Sequence, residues 1–186
     1  MIQVPLTTRY GSGTMDNIKI ILNTYPLTPT EIAHVTDRLY KIKSQNYYFA
    51  LKRAKLTVAL DDLVVAKGIN EVGKKQNHNI PVYVDIDTGL KRMGRSPKES
   101  VQSILEIAQL PYIDIKGLMS HAGHADNERD EEVIKQIAIK EATSLQETKE
   151  ALEQNGLRIE EISIGATPTA RFIDQMPFIT EARPGT

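Results

Sequence analysis

Short apolar runs alternate along the chain with longer stretches in which apolar positions recur at helical spacing, as expected for strands alternating with amphipathic helices. Ile18 to Tyr25 reads as a buried strand closed by Pro26. Thr28-Pro29-Thr30-Glu31 is a capping box with proline at the first helical position, and Ile32, Val35, Leu39 and Ile42 share one face of the helix it starts. Ser44 to Arg53 has no clear period; its adjacent Tyr47, Tyr48 and Phe49 fit a surface patch or a local plug. Lys55 to Leu60 is a second strand. Asp61 is placed to cap the next helix, whose buried stripe is Val65, Ile69 and Val72. Val82 opens a third strand, after which Ser96-Pro97-Lys98-Glu99 repeats the capping-box design ahead of Val101, Ile104, Leu105 and Ala108. Ile113 to Met119 is a fourth strand. A long helix from about Glu128 to Gln154 turns Ile134, Ile137, Ala138, Glu141, Leu145, Thr148 and Leu152 inward and stops at Asn155-Gly156. Ile159 to Ile164 is a fifth strand, and Phe178-Ile179-Thr180 a candidate sixth.

This alternation predicts a parallel α/β sheet with right-handed crossovers. A doubly wound sheet would carry a glycine-rich loop after an early strand, and the sequence has none there. Instead several strands end in polar clusters, the pattern of a (β/α) barrel with its functional groups at the strand tips. A full barrel takes about 250 residues, against 186 here. The expectation is therefore a partial (β/α)8 barrel, missing some of its pieces, over residues 18–186, behind an irregular segment 1–17.

Acidic and basic residues nearly cancel, to a formal charge of −1, which gives no support for a nucleic-acid or anionic-membrane surface. With no cysteine, disulfides and thiolate metal sites are excluded. No apolar run reaches membrane-spanning length and the first residues lack a secretory pattern, so a cytoplasmic location is the default.

The chemistry sits at the strand ends. Asp85-Ile86-Asp87-Thr88-Gly89-Leu90-Lys91-Arg92-Met93-Gly94 follows the third strand. In a plain structural role, Asp87 bonds loop amides and pairs with Arg92; in a functional one, Arg92 points over the mouth and binds an anionic or phenolate oxygen. Ser120-His121-Ala122-Gly123-His124 follows the fourth. Its histidines suggest a metal, but a strand-to-loop segment does not put them on one face. A ring that stacks on a flat ligand or donates to it is favoured over metal binding, beside the ordinary structural histidine. Gly165-Ala166-Thr167-Pro168-Thr169 and Arg183-Pro184-Gly185-Thr186 offer small residues, hydroxyls and a guanidinium suited to a phosphate, although the first could equally be a plain turn.

Taken in order and spacing, these four segments resemble the pyridoxal-phosphate barrel enzymes related to D-threonine aldolase, D-serine dehydratase and, more distantly, alanine racemase. The resemblance covers about Ile20 to Thr186. It implies a cofactor in the barrel mouth, with Arg92 near the phenolic oxygen and His121 against the pyridine ring. Gly165, Ala166, Thr167, Gly185 and Thr186 would hold the phosphate, and Arg183 would add a guanidinium to the cofactor site. It also implies a small D-amino acid substrate and, in the intact enzymes, a divalent metal bound by a C-terminal domain. The family's Schiff-base lysine lies on the first barrel strand, whereas Met1 to Thr14 has no lysine and Lys19 sits at the wrong end of its strand. The chain is thus expected to be the central piece of a pyridoxal-phosphate lyase acting on D-amino acids, inactive alone. The alternatives are a non-catalytic cofactor- or phosphate-binding module, a relative of the racemases, or an unrelated α/β phosphate-binding enzyme. A second copy of the chain is a candidate partner that would cover exposed sheet edges.

Overall fold

The computed structural model describes residues 19–22, 28–44 and 55–184. Segment 1–17, the aromatics Tyr47 to Phe49, Gly185 and Thr186 lie outside these residues, as do the side chains of Val35, Leu39 and Ile42. In chain order the elements are β1 (Lys19–Leu22), α1 (Pro29–Ser44), β2 (Lys55–Leu60), α2 (Leu63–Gln76), β3 (Ile80–Asp85), α3 (Pro97–Ile107), β4 (Ile113–Met119), α4 (Glu131–Gln154), β5 (Glu161–Gly165), the single-turn α5 (Thr167–Ala170) and β6 (Glu181–Arg183). Short 3-10 turns at Gly123–Ala125 and Ile173–Gln175 complete them.

Six strands pair in the order β1-β2-β3-β4-β5-β6, each pair parallel. A doubly wound sheet reverses its strand order partway; strict sequence order is how a (β/α) barrel is laid down. The architecture is therefore a partial barrel, as expected.

Strand geometry sends alternate side chains to opposite faces. On one face Leu56, Val58, Leu60, Val82, Val84, Leu118, Ile162 and Ile164 form the main core. Against them pack Val65, Ile69 and Val72 of α2, Ile104 and Ile107 of α3, and Ala138, Leu145 and Leu152 of α4. Among the described residues, the opposite face holds a small apolar cluster, Ala59, Tyr83 and Met119, beside polar side chains. Gly117 makes that cluster possible. The β3–β4 register slips at Val82/Tyr83, and a Cβ on Gly117 would lie 2.3 Å from the Glu161 carbonyl and 2.7 Å from Tyr83 Cε1. Only glycine lets the tyrosine ring lie flat there.

Caps fix the helix starts. Thr28 and Glu31 form the reciprocal box: Thr28 N–H donates to Glu31 Oε2 at 2.8 Å and Glu31 N–H to Thr28 Oγ1 at 3.3 Å. The cap of α2 is Asp62, which accepts from Val64 N–H at 2.6 Å. The expected cap, Asp61, turns instead toward the third-strand loop. The long helix starts at Glu131, capped by Asp130, and ends as expected at Gly156, whose φ of +83° gives the left-handed turn.

The sixth strand is Glu181–Arg183, not Phe178-Ile179-Thr180. Phe178 and Ile179 pack against the core as loop residues, and Thr180 N–H reaches the Ile162 carbonyl at 3.0 Å. The strand that follows turns Glu181 and Arg183 toward the polar face, so its pattern looks like a loop.

Candidate functional site

The loop after β3 is a knot tied by its own backbone. Asp87 Oδ1 accepts from Gly89 N–H at 2.9 Å and from Lys91 N–H at 3.0 Å, the amide-bonding role expected of a structural aspartate. Gly94, at φ +81°, passes so close to the strand that a Cβ would sit 2.7 Å from the Asp85 carbonyl. Its N–H donates to Asp61 Oδ2 at 3.1 Å. The knot leaves Arg92 exposed at its rim. Arg92 and His121 line one narrow hollow with Asp85, Ile86, Asp87, Leu90 and Met93.

His121 reaches this hollow because β4 ends beside β5: Ser120 N–H donates to the Ser163 carbonyl at 3.1 Å. The half-buried ring is wedged between two glycines. Its Nδ1 lies 2.7 Å from where a Cβ on Gly165 would be, and its Nε2 lies 2.8 Å from the same point on Gly123. Arg183 Nη1 and the Ser120 carbonyl each lie 3.1 Å from that Gly165 point. His121, Arg183 and the end of β5 therefore converge on one spot that any side chain at 165 would fill. Burial, with Arg92 and Arg183 close by, holds the imidazole below its ordinary range, so it is neutral at pH 7.

Arg183 is anchored from below. Its Nε donates to Ser163 Oγ at 2.9 Å and its Nη2 donates to the Ser120 carbonyl. Ser163 Oγ in turn donates to Glu181 Oε1 at 2.7 Å. Tyr83 donates its hydroxyl to the Glu161 carboxylate. Asp85, 7 % exposed, has its carboxyl pushed up to about 7 by burial, an effect that outweighs the opposing pull of Arg183 and Arg92. Behind these, Glu141 of α4 accepts from Ser120 Oγ at 2.6 Å and from Thr169 Oγ1 at 3.2 Å.

Of the residues expected to bind a cofactor, Arg92 and His121 share the hollow, and His121, Gly165 and Arg183 meet at the end of β5. Ala166 is buried beside them with a φ of +83°, a strained conformation for a residue with a Cβ. Thr167 is exposed at the start of α5 and does not line the hollow. Gly185 and Thr186 lie outside the described residues. Sequence reasoning gave no role to the polar face formed by Tyr83, Asp85, Glu161, Ser163 and Glu181, nor to Glu141. A glutamate within the apolar stripe of a helix was the one available signal. Among the described residues no group of three or more His, Asp or Glu side chains could hold a metal, and no helix is long and apolar enough to cross a membrane.

Comparison with known proteins bears on this geometry. The family described as "Alanine racemase, N-terminal domain" matches residues 36–186. The D-threo-3-hydroxyaspartate dehydratase of Delftia sp. (strain HT23) is 26 % identical over 162 residues, which is 82 % of this chain and 42 % of that protein. The D-serine dehydratase of Dictyostelium discoideum is 27 % identical over 165 residues, 81 % of this chain and 38 % of that one. An alanine racemase of Clostridium tetani is 40 % identical over 65 residues, 34 % of this chain and 17 % of that one. The chain thus spans less than half the length of these relatives. In structure, the Delftia dehydratase superposes with a TM-score of 0.71 at 24 % identity, over 82 % of this chain and 39 % of its own. The D-threonine aldolase of Filomicrobium marinum gives 0.67 at 23 %, over 85 % and 46 %. These superpositions establish a shared fold.

Proposed function

The chain belongs to the alanine racemase N-terminal domain family, and on that premise we propose that it carries part of the mouth of a pyridoxal-phosphate enzyme acting on D-amino acids, of the dehydratase or aldolase type. The observation that carries the reading is the meeting of Arg92 and His121 in one hollow, with Gly165 and Arg183 converging on the same histidine.

The residues present fit such a group. Two guanidiniums and a neutral imidazole form a donor-rich, cationic surface that suits a flat anion. The missing side chain at Gly165 lets His121 and Arg183 close together on the end of β5. When bound, pyridoxal phosphate supplies an electron-withdrawing ring that acidifies the Cα–H of an amino acid. Arg92 would donate its guanidinium N–H groups to a phenolate oxygen over the hollow. His121, wedged and uncharged, gives a flat face without competing for protons near neutral pH. Arg183, tied to Ser163 and the Ser120 carbonyl, holds a fixed positive charge beneath the site. The backbone of Ala166 and Thr167 would take the phosphate, since the Gly165 N–H already faces Glu141.

Titrating the protein with pyridoxal phosphate, by absorbance and fluorescence, tests the reading. Binding should weaken by about tenfold or more in R92A, since a charge-assisted hydrogen bond contributes about 1.5–3 kcal/mol, and by roughly two- to tenfold in H121A, which loses a stacking face worth about 0.5–1.5 kcal/mol. Equal affinity in the wild type and both variants, or a cofactor spectrum that the protein leaves unchanged, refutes it.

One observation favours a second reading. None of the described residues lining the hollow is a lysine, which suits a module that binds the cofactor or another phosphate without chemistry of its own. Borohydride reduction followed by peptide mapping tests it: a single reduced lysine beside the hollow refutes the module, and reversible, unreduced binding supports it.

A further inference from the structure

Glu141 lies on α4, on the helical side of the sheet, and is 1 % exposed. Ile134, Ala138, Leu145 and Leu152 surround it along the same buried stripe, where a leucine would pack without any loss of hydration. A carboxylate in that position is costly unless it is bonded on several sides. This one is: Ser120 Oγ donates to Oε1 at 2.6 Å, Thr169 Oγ1 lies 3.2 Å from Oε2, and the backbone N–H of Gly165 also faces it. These three partners flank the candidate ligand-binding residues. Ser120 immediately precedes His121, Gly165 touches the histidine ring, and Thr169 lies in the turn that follows Ala166. One side chain therefore links the end of β4 to the end of β5 from behind.

We infer that Glu141 is a positioning residue that sets the placement of His121 against the Gly165–Thr169 loop, and so the spacing between the ring-facing and anion-facing parts of the site. The identity of the ligand rests on the proposed function; the placement of His121 does not.

The test uses the full chain with isotope-labelled histidine, and two variants, E141Q and E141L. His121 titration is followed by NMR, with H121Q assigning its signal among the four histidines. In the wild type His121 titrates below the ordinary histidine range, held there by burial and by Arg92 and Arg183, with Asp126 opposing and His124 adding to the depression. Loss of the Glu141 link frees the ring, so its titration moves up toward that range in E141L and part of the way in E141Q. The amide of E141Q keeps the volume but cannot accept from Ser120, Thr169 and Gly165 N–H together. Pyridoxal-phosphate affinity falls in the same order, by about tenfold or more in E141L. A merely structural glutamate would lower stability while leaving the His121 titration of the folded protein where it was, and that result in E141Q overturns the inference. Should E141L fail to fold, E141Q decides alone. Should the wild type bind no pyridoxal phosphate, the ligand assignment fails and the His121 titration still decides the role of Glu141.

Discussion

Replacing Gly165 by alanine adds one methyl group at the point where three functional elements meet. The new Cβ would lie 2.7 Å from His121 Nδ1, 3.1 Å from Arg183 Nη1 and 3.1 Å from the Ser120 carbonyl. The carbonyl is backbone of the adjoining strand end and cannot retreat, and Arg183 is held by Ser163, so the imidazole must move. Overpacking a tight site by one methyl costs about 1–3 kcal/mol, and a chain of this size loses about 2–4 °C in Tm per kcal/mol. A matched control comes from α2. A Cβ on Gly68 would meet Ala33 Cβ at 3.6 Å and the Pro29 carbonyl at 3.7 Å, both ordinary contacts, so G68A should stabilise by roughly 0.5–1 kcal/mol through helix propensity. Urea denaturation of both variants, with NMR of the His121 ring, gives the answer. A destabilised G165A with displaced His121 resonances, beside a stabilised G68A, is expected. A G165A as stable as wild type with unmoved His121 signals would mean the ring does not lie against β5, and the account of the site would fall with it.

Three further outcomes follow from named contacts. Asp85 takes up its proton at about 7 when folded and near its ordinary 3.8 when unfolded; between those values the native state binds the extra proton, so stability falls as pH rises and levels off above pH 7. The slope totals at most about 4 kcal/mol, and D85N should remove it from chemical denaturation curves measured between pH 4 and 8; an unchanged slope would locate the proton elsewhere. D62A should cost about 1 kcal/mol through the lost α2 cap, with little from its exposed pairing to Arg95, whereas D61A should leave α2 stability alone; equal losses would contradict the cap assignment. Burial and the Glu161 carboxylate push the Tyr83 hydroxyl far above the usual tyrosine range, so Y83F should show the same 295 nm titration as wild type until unfolding, and a missing native transition in Y83F would refute the buried pair.

The sequence makes the helix-facing side of the sheet readable because burial there follows a simple period. Lys55–Leu60 and Ile113–Met119 were bounded as the structure has them, and the Val65, Ile69 and Val72 stripe packs as its spacing implies. The other face was illegible for a physical reason. Its strands bury Glu181, Ser163 and Tyr83 against one another, so polar residues stand where apolar periodicity predicts a loop, and the pattern points to Phe178-Ile179-Thr180 rather than to Glu181–Arg183. Neighbouring Asp61 and Asp62 are indistinguishable as caps in sequence, and only the Gly94 N–H and the Val64 N–H tell them apart. Arg92 and His121 stand out in the sequence because their strand tips change abruptly from apolar to polar, and both line one hollow. Glu141 was seen on the inner stripe but could not be given a role, since its partners come from segments distant in the chain.

A sheet laid down in strict chain order can lengthen only at its margins. Among the described residues, Lys19–Leu22 and Glu181–Arg183 each bond to a strand on one side alone, so any polypeptide completing a ring must dock on both at once. Arg92, His121, Gly165 and Arg183 all belong to the arc from β3 to β6, so a ligand gripped there would be held from one side.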